Sequence, residues 1–347
     1  MGNYSSQVTV AEGLVFFSAN DIYALNADTG ALLWTFTRGT TSCGPLTVAG
    51  GVAYAGCGNG TVVALNTRTG ALLWTSQAGS YIASNPAIVD GVVYIGSFDY
   101  NVYALDATTG AFLWSYKTGG EIYSSPSVVD GVVYIGSDDE KLYALNASTG
   151  ALLWSYKTGS FVFSSPAVAN GMVYVGSTDH NIYALNATTG AFFWIYTTGD
   201  EIESSPAVAN GIVYIGSDDR RVYALDAVTG TPRWSYATEG SVISSPAVAD
   251  GVVYAASATG EMDALSASTG VSLWHYETAC VISEGGATSS PAIANGVMFI
   301  GTWGCDHSNG GILYAFSLKH GDSAMSSSSD YRPDLKTLHP DLNLRPR

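Results

Sequence analysis

The sequence predicts an all-β chain folded as an eight-bladed β-propeller of four-stranded antiparallel blades, with a degenerate last blade. Three observations predict it. Trp34, Trp74, Trp114, Trp154, Trp194, Trp234 and Trp274 recur every 40 residues. Gly30, Gly70, Gly110, Gly150, Gly190, Gly230 and Gly270 stand four residues ahead of each Trp. Between them, short apolar runs are broken by Asp-Gly or Asn-Gly pairs at 90, 130, 170, 210, 250 and 295. A repeat of 40–50 residues with short strands inside each unit is the signature of a propeller.

The unit from Pro126 to Trp154 justifies each strand in turn. Ser127-Val128-Val129 is a short apolar run followed by Asp130-Gly131. That pair favours a two-residue type I′ hairpin, which needs positive φ at both central positions. Val132–Ser137 is rich in β-branched and aromatic residues and reads as the second strand. Asp138-Asp139-Glu140 makes a polar turn, and Lys141–Leu145 is the third strand. Asn146-Ala147-Ser148-Thr149-Gly150 turns the chain again. Ala151–Tyr156 is the fourth strand, with Trp154 and Tyr156 on one face by the period of two.

Counting from the N-terminus, Val8-Thr9-Val10 begins blade 1 and Pro291 begins blade 8. Blade 8 has Gly321 at the Gly position and Met325 at the Trp position. Seven blades plus a stray hairpin is the alternative count. The repeat defines one domain over 1–325. Residues 326–347 form a C-terminal tail that carries no repeat. The tail holds four basic and three acidic residues, in a chain whose net charge is −16. It reads as disordered, or as a segment that docks on the acidic propeller or a partner.

The pattern Ala-x-Asp/Asn-x-x-Thr-Gly-x-x-x-Trp is met in full by Ala104, Asp106, Thr109, Gly110 and Trp114, and by Ala144, Asn146, Thr149, Gly150 and Trp154. It resembles the tryptophan-docking motif of the pyrroloquinoline-quinone (PQQ) type propellers. That group includes quinoprotein alcohol dehydrogenases and a periplasmic lipoprotein that helps assemble outer-membrane proteins. The resemblance is to the lipoprotein more than to the dehydrogenases. It implies that each Trp packs on the neighbouring blade and ties the ring together. A fully buried Trp would contribute at most roughly 4–6 kcal/mol by area. Ser266, Ser317, His320 and Met325 depart from the pattern, which weakens the last docking contact.

Charged residues make up only 12% of the chain and acids dominate. Nucleic acid is therefore excluded as a partner, because phosphates need clustered Lys and Arg. No apolar run is long enough for a transmembrane segment. Met1–Ser6 does not read as a signal peptide. Cys43 and Cys57 are equidistant from the hairpin turn at Gly50, which places them opposite each other on paired strands. Cys280 and Cys305 lie in two insertions near the end of the repeat. Two disulfides, Cys43–Cys57 and Cys280–Cys305, imply an oxidising, extracytoplasmic compartment. Asn3, Asn59, Asn146 and Asn186 begin glycosylation sequons, but Asn146 and Asn186 also belong to the docking turns.

Chemistry must be sought where the copies differ. The first-to-second and third-to-fourth strand turns share one face of a propeller, and here they are nearly uniform. The opposite face varies from blade to blade. Its connections carry Tyr81, Tyr123, Phe161, Phe163, Glu201 and Glu203, which are the candidate binding residues. Its second-to-third turns carry Asp99-Tyr100, Asp138-Asp139-Glu140, Asp179-His180 and Asp218-Asp219-Arg220. No catalytic residue, metal site or cofactor is expected. The five His are scattered, the carboxylates are spread over separate blades, and the adjacent cysteine pair of the quinoprotein dehydrogenases is missing. The expected function is a non-catalytic extracytoplasmic scaffold or protein-interaction module, as a subunit of a larger surface or envelope assembly. A small quinoprotein-like dehydrogenase, or a propeller binding carbohydrate or peptide, is the alternative.

Overall fold

The computed structural model of the chain describes residues 8–18, 21–37, 41–278, 289–303 and 311–318, and the backbone of 335–337. These residues form eight four-stranded antiparallel sheets and no helix. Each sheet is one blade, so the count of eight holds. In blade 4 the strands are Ser127–Val129, Val132–Ser137, Lys141–Asn146 and Leu152–Lys157, paired in that order. The innermost strands of successive blades lie side by side, and Ala292–Ala294 of blade 8 neighbours Val8–Ala11 of blade 1. The ring is thereby closed.

The hairpin signals act as expected. Asp130 and Gly131 take φ of 49° and 74°, the type I′ geometry, and the other five pairs match them. On the same face, the Asp106 carboxylate accepts from the backbone N–H of Thr108 and Thr109 and from the Thr109 hydroxyl. Asn146 accepts the equivalent three bonds, so this sequon position serves the turn.

That turn is the socket for the preceding blade's Trp. Trp34, Trp74, Trp114, Trp154, Trp194 and Trp234 donate from Nε1 to the carbonyls of Thr67, Ala107, Ala147, Ala187, Ala227 and Ala267 at 2.8–3.0 Å. The ring lies so close to the turn glycine that a Cβ on Gly150 would come within 2.6 Å of Trp114. Positive φ at Gly150 disfavours a side chain as well. A second hook shares five of the six sockets: Tyr94 and Tyr134, for example, donate from their hydroxyls to the Ala147 and Ala187 carbonyls, and Phe16 leaves the Thr67 socket without one. Trp34, Trp114 and Trp194 are buried, while the others are half-buried because the fourth strand is the outer edge. The area figure for a fully buried Trp is therefore a ceiling. Trp274 departs from the series and packs edge-on against Phe316 of blade 8.

The outer strands also carry exposed apolar pairs, Leu32-Leu33, Leu72-Leu73, Phe112-Leu113, Leu152-Leu153 and Phe192-Phe193. The rim they form ends at Pro232-Arg233 of blade 6.

Around the channel, hydroxyls tie blade to blade. The backbone N–H groups of Asn85, Ser125, Ser165, Ser205 and Ser245 donate to the hydroxyls of Ser125, Ser165, Ser205, Ser245 and Ser290. In blades 3 to 7 a buried serine, such as Ser84 or Ser124, also accepts from a backbone N–H of the second strand, a glycine in blades 3 to 6 and Ala256 in blade 7. Blade 2 differs. Cys43 and Cys57 sit directly opposite each other and are joined by a disulfide. Cys280 and Cys305 lie outside the described residues.

Blade 8 takes its fourth strand from Leu335–Thr337, paired with Tyr314–Phe316. This strand lies inside the stretch 326–347 that the repeat assigns to the tail. By register, position 336 takes the place of the Trp and carries Lys, and no docking Gly precedes it, so no repeat signal marks the strand. Among the described residues, no helix is long and apolar enough to cross a membrane.

Candidate functional site

The variable face is built from two kinds of loop held together by backbone. In each of blades 3 to 7 the second-to-third turn donates an N–H to the incoming connection: Phe98 to Tyr81, Asp138 to Glu121, Thr178 to Phe161, Asp218 to Glu201 and Ala258 to Ser241. Between these anchors, Ile82, Ile122, Val162, Ile202 and Val242 turn inward and are buried. The Ile122 side chain packs on Gly96, where a Cβ would meet it at 2.2 Å. Alternation then turns residues 81, 121, 161 and 201, and 123, 163 and 203, away from the core.

Four of the six candidate residues fall into one aromatic string. Tyr81 lies 4.7 Å from Phe98 by ring centroids, Phe98 lies 4.3 Å from Tyr123, Tyr123 lies 5.0 Å from Phe163, and Phe163 lies 5.7 Å from Phe161. Such tilted and edge contacts are the favoured geometry for aromatic pairs. The string crosses blades 3 to 5, and its Tyr81 end rests on Gly58 of blade 2. Phe161 and Tyr123 remain exposed at its crest. Phe98 is the central link and escapes the sequence reading. It sits in a turn where blades 4 and 6 carry Asp, so only its departure from those copies could have flagged it.

Acids border the string. The other two candidates, Glu201 and Glu203, gather with Asp218 so that one carboxylate oxygen of each lies within 4.8 Å of the others. All three belong to blade 6 and the connection that enters it. Burial, then the like charges of Glu203, Asp200, Glu201 and Asp219, pushes Asp218 up to about 6. Burial and Glu201 also push Glu203 upward, although its side chain still meets solvent. On blade 4, burial followed by Glu121 and Asp139 pushes Asp138 up to about 7. Asp138 and Asp218 each keep one buried oxygen without a hydrogen-bond donor. Tyr123 joins the two zones, since burial, Glu121 and Asp138 together raise its pKa. Apolar rings beside desolvated carboxylates suit a cationic group: the rings offer π faces and the acids offer charge.

A second ionisable group lies on blade 7, away from the string. Nδ1 of His275 is 3.3 Å from Glu261 Oε1 and 3.3 Å from Asp263 Oδ1. Both carboxylates are buried, at 5% and 1% exposure. Burial and then Glu261 push Asp263 up to about 6, against the lowering effect of His275.

With this geometry in hand, likenesses to known proteins can be placed. A family model described as outer membrane protein assembly factor BamB matches residues 18–127, 117–203 and 181–340. Among solved structures, BamB from Moraxella catarrhalis is similar at 19% identity and a TM-score of 0.73, covering 86% of this chain and 93% of its own. The computationally designed Ika8 protein is similar at 20% identity and a TM-score of 0.77, covering 87% of this chain and 94% of its own. At these identities the likeness to the two structures concerns the fold. No curated protein matches the chain.

Proposed function

The chain belongs to the PQQ-like propeller family described as outer membrane protein assembly factor BamB, and from that premise we propose that it is a non-catalytic extracytoplasmic scaffold. Its variable face holds a partner protein through a segment bearing Lys or Arg. The observation that carries this reading is the unbroken string Tyr81–Phe98–Tyr123–Phe163–Phe161, flanked by Glu121, Asp138 and the Glu201–Glu203–Asp218 group. Aromatic anchors supply most of the energy at interfaces, and adjacent acids select a cationic segment and speed its approach. The apolar outer rim on blades 1 to 5 gives an assembly partner a further contact zone. The Cys43–Cys57 disulfide supports an oxidising compartment.

The test is binding of synthetic peptides of graded charge to the wild type and to the triple variant Tyr123→Ser, Phe161→Ser, Phe163→Ser. Basic peptides should bind the wild type in a salt-sensitive manner and lose about tenfold or more in affinity on the variant, a loss of about 1.4 kcal/mol. The melting temperature should barely move. A variant that binds normally but unfolds readily would make these rings core, and the surface would have to be sought elsewhere.

A further inference from the structure

Blade 7 breaks the repeat at three positions at once, and the three side chains meet. Where blades 3 to 6 carry Tyr103, Tyr143, Tyr183 and Tyr223, blade 7 carries Asp263. Where they carry Asn101, Lys141, Asn181 and Arg221, it carries Glu261. Where they carry Ser115, Ser155, Ile195 and Ser235, it carries His275. The regular arrangement is one carboxylate capped by one phenol. Asp179 accepts from the Tyr183 hydroxyl and from the Gly159 N–H, and Asp219 accepts from Tyr223 and Gly199 in the same way.

In blade 7, Glu261 Oε2 takes over that structural duty by accepting from the Glu239 N–H at 2.7 Å. The duty uses one oxygen. It leaves Glu261 Oε1, Asp263 Oδ1 and His275 Nδ1 facing one another, with a second buried negative charge that no other repeat needs.

We propose that Glu261, Asp263 and His275 form a site for a divalent transition-metal ion of the zinc type. Four ligands at about 2.0–2.1 Å around tetrahedral zinc stand roughly 3.3–3.4 Å apart. Both histidine–carboxylate separations are 3.3 Å. One imidazole with two carboxylates is a donor set that zinc accepts. The surrounding groups orient these ligands. Tyr236 of blade 6 donates to Asp263 Oδ1 at 3.0 Å, and the Glu239 N–H fixes Glu261. Nδ1 of His275 lies at hydrogen-bond distance from Asp263 Oδ1, so an ion there takes the place of the ring proton, while Nε2 lies 3.8 Å from Glu277 Oε1. His275 is partly exposed, so an ion enters from solvent and a water completes the shell. Tyr236 and Glu239 belong to blade 6 and its outgoing connection, so the bound ion clasps blades 6 and 7 together.

The experiment is titration of chelator-stripped, untagged protein with Zn²⁺ alone, followed by calorimetry, metal analysis of the dialysed complex, and the visible spectrum after Co²⁺ substitution. One ion per chain, a tetrahedral Co²⁺ spectrum and a rise in melting temperature are expected. His275→Ser puts back the residue that blade 6 uses, so it should fold normally yet lose about tenfold or more in affinity, together with the Co²⁺ bands. The combined variant Glu261→Asn, Asp263→Tyr, His275→Ser should bind no ion at this site. A stripped wild type that takes up no stoichiometric Zn²⁺ would overturn the proposal. So would a His275→Ser variant that binds like the wild type, which would move the ion to Glu201, Glu203 and Asp218.

Discussion

Blades 3 to 7 and the sector made by blades 8, 1 and 2 solve the same problem differently. In the regular arc each blade is hooked to the next by an indole, a tyrosine hydroxyl and a serine hydroxyl, repeated with little change. Among the described residues no sheet mixes strands from the two ends of the chain, and an apolar cluster joins blade 8 to blade 1. Val8, Val15, Phe17, Tyr23 and Leu25 pack there against Phe299, Leu313 and Ala315. Blade 1 then reaches blade 2 by contacts found nowhere else in the described ring. Thr9 donates to the Leu46 carbonyl, and Glu12 accepts from the Gly51 N–H and the Thr67 hydroxyl. Blade 2 carries a covalent bond where the arc uses a serine. The arc is held by many small directional contacts, whereas the closing sector keeps the Trp34 hook between blades 1 and 2 and adds two apolar clusters and special devices beside them.

The comparison can be broken most directly at Phe299, which is 1% exposed at the centre of the seam. Phe299→Ala should cost about 4 kcal/mol in urea unfolding, the usual range for a buried Phe. A loss near zero would mean that closure does not rest on this cluster. The next largest effect is expected from replacing Cys43 and Cys57 together by Ser. Removing a crosslink that closes a loop of about 15 residues should cost about 3 kcal/mol, and reductant should have no further effect on the double variant. Equal stability with and without the bond would put the disulfide on a par with the serines of the arc.

The smallest effect should appear inside the arc. Asp138 holds its proton more tightly folded, with a pKa of about 7, than the ordinary value of 3.8. Its contribution to stability is therefore greatest at low pH and is lost as pH rises towards and through 7. Because the group is only half-buried, solvent screening leaves about 1 kcal/mol, or roughly 2 °C in melting temperature. The wild type should melt lower at pH 8 than at pH 5, and Asp138→Asn should flatten that slope. An unchanged slope would show that Asp138 does not govern this pH dependence.

What was legible in the sequence follows this division. The strands, type I′ turns and Trp sockets repeat, so local chemistry and spacing both announced them. Opposed placement about Gly50 was enough for Cys43 and Cys57. Leu335–Thr337 escapes because its place is set by pairing with Tyr314–Phe316, and the three residues Leu-Lys-Thr carry neither an apolar pattern nor a period of their own. Phe98 escapes because it stands in a turn, whereas the rings it links, Tyr81 and Tyr123, stand in the connections. Glu261, Asp263 and His275 stand on strand positions that elsewhere serve the scaffold, and His275 read as one scattered histidine. Their meeting depends on pairing between the third and fourth strands of blade 7, which sets Asp263 directly opposite His275.

An apolar seam between blades 8 and 1 gives the open chain two complementary ends. The surface blade 8 offers to blade 1 is also the surface one molecule offers to another. A heterologous contact of this kind yields a ring when it closes within one chain and a head-to-tail filament when it does not. What favours the ring is that its own end is always near, so the local concentration of the correct partner far exceeds that of other molecules. The distinct residues at the seam and at blades 1 and 2 therefore do more than finish the ring. They make the two ends of the ring chemically unlike the arc.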